Sequence, residues 1–119
     1  MVEMAIALPV LLTILLGVVQ FALVYHAWDV ATTASQEGAR LAAAEGRTPA
    51  EGAARARDVL QSGLGRTGSG FTVTARDTGG SVVVQAEGDY PLIIPWVTGR
   101  SIPIEAEAEV RKEGFRSGP

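Results

Sequence analysis

The sequence predicts an α+β fold. One long N-terminal helix begins as a membrane span and continues into a small head, where a second helix packs on a three-stranded antiparallel sheet. Three observations predict it. Residues Met4 to Tyr25 carry no charge over 22 positions. A small-residue pattern at helical spacing continues past that run without a break, and the C-terminal part holds three stretches of alternating polarity.

The uncharged run comes first. As a helix its 22 residues reach roughly 33 Å, enough to cross a hydrocarbon core of about 30 Å. It is apolar on all sides rather than along one stripe, so it is not an ordinary surface helix. Tyr25, His26 and Trp28 follow it and Asp29 comes next, in the order of an aromatic belt and then water. A cleavable signal peptide needs a basic leader and a shorter apolar core, whereas only Glu3 precedes this run. A buried core helix needs more surrounding chain than 119 residues provide. Residues 1–25 are therefore read as the transmembrane segment and 26–119 as the head. Glu3 has two readings: an interfacial charge held among headgroups, or a carboxylate that sets register against a neighbour's α-amino group.

Within the span, Ala5, Pro9, Thr13 and Gly17 recur every four residues, a stripe along which another helix can approach closely. Pro9 removes one intrahelical hydrogen bond and loosens the helix. The same spacing continues through Ala27, Ala31, Ser35, Ala39 and Ala43, with Gly38 and Ala42 alongside. A helix over 26–45 is expected as a direct continuation, giving one rod of roughly 65 Å. So many small side chains bury little area alone, so the rod must pack tightly against something; Glu3, Ala5, Pro9, Thr13, Gly17, Ala27, Ala31, Ser35, Gly38 and Ala39 are the expected subunit-packing and register positions.

Gly46 ends the rod. Thr48-Pro49-Ala50-Glu51 then supplies an N-cap, a first-turn proline and a glutamate at N3, the capping box of a second helix over 49–63. Ala53, Ala56, Val59 and Leu60 form its inward side. The segment from Gly63 to Gly70 is glycine-rich and is read as a flexible connection. A phosphate-cradling loop would need a strand before it and a helix after it, and here the order is reversed.

Strands are expected at 71–76, 82–90 and 102–111. Phe71 to Arg76 alternates, Asp77-Thr78-Gly79-Gly80 makes a hairpin turn, and Val82, Val84, Ala86 and Tyr90 share one face. In the third strand Ile102, Ile104, Ala106, Ala108 and Val110 alternate with Pro103, Glu105, Glu107, Glu109 and Arg111. The three glutamates could hold calcium only with further oxygen ligands from loops, and a solvated outer face accounts for them. Between the last two strands, Tyr90, Leu92, Ile93, Ile94 and Trp96 form an apolar loop stiffened by two prolines. It is either a crossover tucked under the head or a contact for a neighbouring subunit or the membrane surface.

The composition excludes much chemistry. There is no Cys, so no disulfide, thiol nucleophile or Cys-ligated metal. A single His leaves no evident triad or multi-His centre, and no catalytic, cofactor or metal residue is assigned. Net charge is −3, against the basic face that nucleic acid requires. All of that excess lies in residues 1–46, where four acids oppose Arg40.

Several of these residues carry a family resemblance. Val2-Glu3-Met4-Ala5, Leu8-Pro9, the Leu-rich run to Gly17, Gln20-Phe21 and Gln36-Glu37-Gly38-Ala39-Arg40 resemble the TadE-like family, pilin-like proteins of Tad (tight adherence) pilus systems. Met4 stands where Phe is usual, Gln20 where an acid is common and Gln36 where Arg is common. The likeness is close over the first 46 residues and only stylistic beyond them. Family members carry a basic leader, cut so that the glutamate becomes fifth; with Glu3 third, the resemblance implies a trimmed form or a late start.

The resemblance implies a pilin-like lollipop and a structural, non-enzymatic subunit, minor or major. Its partners would be other pilins and further copies, an inner-membrane platform, an assembly ATPase and a prepilin peptidase, with membrane lipid before assembly. It would sit in a bacterial cytoplasmic membrane with the head outside, then in an extracellular pilus. A head of about 73 residues without disulfides is marginal alone, which fits a subunit that gains burial by oligomerising. The competing reading is a single-pass anchored binding or adaptor module that works as a monomer.

Overall fold

The computed structural model describes residues 1–93 and 100–112. One helix, α1 (Val2–Ala43), runs unbroken for 42 residues, through Pro9 and past the aromatic belt. Ala and Leu, which favour helix, are its commonest residues between 5 and 43, and no Gly-Pro cluster interrupts them. It gives the molecule its shape, with principal extents of 80 × 22 × 20 Å. The rod stops when Ala44 turns to extended backbone and Gly46 takes φ +81°, a conformation that glycine adopts without steric cost.

The capping box forms as its residue types require. Thr48 Oγ1 accepts from the Glu51 backbone N–H at 3.2 Å, and Glu51 Oε1 accepts from the Thr48 N–H at 2.9 Å. They open α2 (Pro49–Leu64), which returns along α1. The glycine-rich stretch is not a featureless loop: it winds into a one-turn helix, α3 (Arg66–Ser69). Gly68 permits this by lying on the end of α2, where an added Cβ would collide with the Leu60 carbonyl group.

The three strands form a simple antiparallel meander, β1 (Thr72–Asp77), β2 (Ser81–Pro91) and β3 (Ser101–Arg111), with β2 central. The β1–β2 turn is closed by Thr78 N–H donating to the Ser81 carbonyl at 2.9 Å and by Gly79 N–H donating to Asp77 Oδ1 at 2.8 Å. Gly79 sits at φ +104°, where a side chain would be strained. Register aligns Val73 with Ala86 and Ala106, and Ala75 with Val84 and Ala108. This row-by-row match brings all the inward side chains to one face. α1 crosses that face over β2 and β3, while α2 covers β1.

The core between the layers contains Ala27, Ala31, Ala34, Ala39, Ala53, Ala56, Leu60, Phe71, Val73, Val82, Val84, Ala86 and Ile104. Val83 is also buried although it points to the outer face, flanked by Arg76 and Glu109 across the ladders. The alternation rule alone does not foresee that. Where α1 and α2 touch, both are reduced to backbone. A Cβ on Gly38 would lie 2.6 Å from the Gly52 carbonyl oxygen, and the Ala42 and Ala56 methyls close the rest of the contact.

Candidate assembly and membrane surface

The ten packing positions expected along the rod divide sharply. Ala27, Ala31, Ser35, Gly38 and Ala39 are buried within the chain itself, four of them with no measurable exposure. Their partners are the chain's own α2 and sheet; Ser35 Oγ, for instance, donates to the Ala106 carbonyl at 3.3 Å. These five positions are therefore part of the chain's own head core. Spacing of four marks a close-packing face but does not identify what lies against it.

Glu3, Ala5, Pro9, Thr13 and Gly17 are exposed on the protruding helix. Glu3 lies in its first turn. Thr13 Oγ1 donates to the Pro9 carbonyl at 2.9 Å, which satisfies the hydroxyl within the helix. Around these positions stand large apolar side chains, from Val2 through Met4, Ile6, Leu8, Leu11, Leu12, Ile14 and Leu15 to Val18. Each is more than half exposed. The helix is long and apolar enough to cross a membrane, and only 6% of its most apolar window is buried by the chain. Such a surface is a poor solute and requires lipid or protein around it.

In the sequence Gln20 stands out only by its place in the resemblance, yet it marks where the head begins. Its side chain is 5% exposed inside an otherwise bare apolar run. The Ile93 N–H donates to Gln20 Oε1, and Gln20 Nε2 donates to the Pro91 carbonyl at 3.5 Å. One amide thus satisfies both kinds of backbone group at the end of β2. The available signal was a lone amide among apolar residues, which in a membrane-facing helix implies a partner. The packing of the head therefore reaches down to Gln20, inside the segment expected to lie wholly in the membrane. That leaves Val2 to Val19 bare, roughly 27 Å of helix.

The clamp sets Leu92 and Ile93 beside the helix at this level, with Ile93 41% exposed and Tyr90 half-buried against the core. Leu92 N–H donates to the Arg100 carbonyl at 3.1 Å and so starts the return to β3. Ile94 and Trp96 of the same expected contact loop lie outside the described residues. One turn above Gln20, Phe21, Val24, Tyr25 and Trp28 line a groove of about 350 Å³, whose other wall is Pro103, Ile104 and Glu105 of β3. The Tyr25 and Trp28 ring centroids are 6.2 Å apart at 46°.

At the far end of the head, two exposed carboxylates hold their charge more firmly than usual. The Thr48 backbone N–H, helped by the Arg47 guanidinium, lowers the pKa of Glu51. Lys112, helped by the Gly79 N–H, lowers that of Asp77. Both are structural ties: one starts α2 and the other joins the β1–β2 turn to the end of β3. Glu105, Glu107 and Glu109 are exposed on the outer sheet face. Among the described residues no cluster of three or more acidic or His groups can hold a metal ion.

A family model described as TadE-like protein matches residues 1–40, which are α1 almost entire. The match relates the rod to pilus-associated, pseudopilin-like proteins. Comparison with curated proteins and with solved structures finds no match for this chain.

Proposed function

We propose, from a chain whose first 40 residues match the TadE-like family, that it is a pilin-like structural subunit of a Tad or type IV-type pilus. The observation that carries this reading is the bare apolar rod: α1 leaves the head at Gln20 and exposes large apolar side chains from Val2 to Val19. Held singly, that rod is anchored in the cytoplasmic membrane with the head outside. On assembly the same surface exchanges lipid for neighbouring rods along Ala5, Pro9, Thr13 and Gly17, where small residues allow close approach. Glu3 at the end of the rod sets register.

Other pilins, a membrane platform protein, an assembly ATPase and a prepilin peptidase are the partners that this role requires. The chain contributes no chemistry of its own: it stores a hydrophobic surface and presents a head.

The absence of cysteine makes the test clean. A single Thr13→Cys substitution in cells that make the pilus should give a disulfide-linked dimer under mild oxidation. Ala31→Cys, buried in the head, should not. A monomer at both positions would favour the anchored binding module instead.

A further inference from the structure

We propose that the free edge of β3 adds an extended strand from a partner protein, one whose side chains alternate between basic and apolar. The sheet order β1-β2-β3 leaves β3 at an edge. Its ladder to β2 is bracketed at both ends. Lys112 N–H donates to the Gly80 carbonyl at 3.0 Å, and Leu92 N–H donates to the Arg100 carbonyl at 3.1 Å. The register between them is continuous, so the even-numbered residues of β3 turn their backbone groups toward β2. Glu105, Glu107, Glu109 and Arg111 therefore aim N–H and C=O the other way, out of the sheet. Among the described residues nothing bonds to those backbone groups.

The opposite edge is guarded. In β1 the residues that point away from β2 include Val73, and the Arg57 guanidinium of α2 donates to the Val73 carbonyl at 3.5 Å. α1 does not do the same for β3: Ser35 Oγ reaches the Ala106 carbonyl, which already faces β2. An unpaired row of backbone groups is a template for one more strand. Pro103 has no N–H, so the usable stretch begins at Glu105 and runs to Arg111, roughly 23 Å.

Side chains select the occupant. Glu105, Glu107 and Glu109 share the exposed outer face with Glu87 and Asp89 of β2. Against these acids stand only Arg111 and Arg76, the latter 4.0 Å from Glu107. A strand added at the edge lays every second side chain beside the glutamates, where lysine or arginine fits. The intervening side chains fall on the other face, beside half-buried Ala108 and Val110, where apolar ones fit. A second copy is disfavoured. Two β3 edges overlapped antiparallel about Glu107 set Glu107 against Glu107 and Glu105 against Glu109.

The test uses the full-length chain in non-ionic detergent and a fluorescent peptide of alternating Lys and Val, long enough to span the edge, with anisotropy as the readout. Saturable binding is expected. In the added strand the lysines pair with the glutamates and carry the N–H groups that face β3. N-methylation of two lysines should therefore weaken binding about tenfold, and N-methylation of two valines by much less. Glu107→Pro removes one edge N–H, leaves the ladder to β2 intact and should abolish binding. Glu105→Gln combined with Glu109→Gln should weaken it and flatten its salt dependence. No saturable binding by the parent chain would overturn the proposal. Equal weakening by the two kinds of N-methylation would do so too, by reducing the edge to a charged surface. So would binding that survives either variant unchanged, or dimers of the chain that exclude the peptide. Should Glu107→Pro not fold, the N-methylated peptides on the parent chain still decide.

Discussion

Gln20 and Ile93 are 73 positions apart in the chain, and the backbone N–H of Ile93 donates to the side-chain oxygen of Gln20. The same side chain donates to Pro91, so one amide closes the head onto its rod at the level where burial begins. Gln20→Leu keeps the volume and strands both backbone groups. Water can reach both groups, since Pro91 and Ile93 are exposed, so the loss should be about 1 kcal/mol, the net worth of a hydrogen bond, rather than a full burial penalty. Hydrogen exchange should show the Ile93 amide losing protection while the amides of β2 upstream keep theirs. Unchanged protection at Ile93 would mean that the clamp does not form.

The helix pair depends on backbone contact at Gly38 and Gly52. Gly38→Ala gains about 1 kcal/mol of helix propensity but places a methyl where the Gly52 carbonyl lies 2.6 Å away. Overpacking of that kind costs about 1–3 kcal/mol, so the net effect is destabilising. A lower melting temperature of the detergent-solubilised chain is the expected result. Gly17→Ala is the comparison, since nothing lies within 4 Å of its added methyl; it should not lower the melt.

Core and rod should separate cleanly under substitution. Leu60 is fully buried, and Leu60→Ala should cost about 2–5 kcal/mol in thermal or denaturant unfolding. Leu12 and Leu15 are half-exposed on the bare rod. Replacing both with Ala should leave head unfolding in detergent unchanged and reduce recovery of the chain in filaments. Equal effects of both substitutions on unfolding would contradict the division.

Acid should weaken the head from one direction only. Glu51 and Asp77 have folded pKa values below their ordinary ones, held down first by the Thr48 N–H and by Lys112 respectively. A depressed carboxylate pKa contributes stability above the unfolded pKa and loses it as pH falls through the folded one. Melting temperature should therefore be flat for these groups from neutral pH down to the ordinary carboxylate range and decline below it. Glu51→Gln should make that decline shallower, as measured by melts at neutral pH and at stepwise lower values.

Local features were legible in sequence because their signals are local. Thr48 to Glu51 announced the start of α2 through a capping pattern confined to four residues. The inward faces of β1 to β3 were legible by alternation, save Val83, whose burial depends on Arg76 and Glu109 from two other strands. Gly63 to Gly70 looked like a loop because glycine disfavours helix, yet Gly68 is there so that α3 can rest on Leu60. The spacing of Ala27 to Ala39 marked a packing face, but an alanine facing its own sheet and one facing another chain read alike. The Gln20 clamp was least legible: its partners are backbone atoms, which leave no mark in a sequence.

On the function proposed above, the bare rod of α1 is packed among other rods in a filament. The direct measurement is recovery of the chain in sheared surface filaments, by immunogold electron microscopy and immunoblot, from cells that assemble the pilus. Labelled filaments and chain in the sheared fraction are the expected result. Chain held entirely in the membrane as a monomer, beside unlabelled filaments, would contradict it.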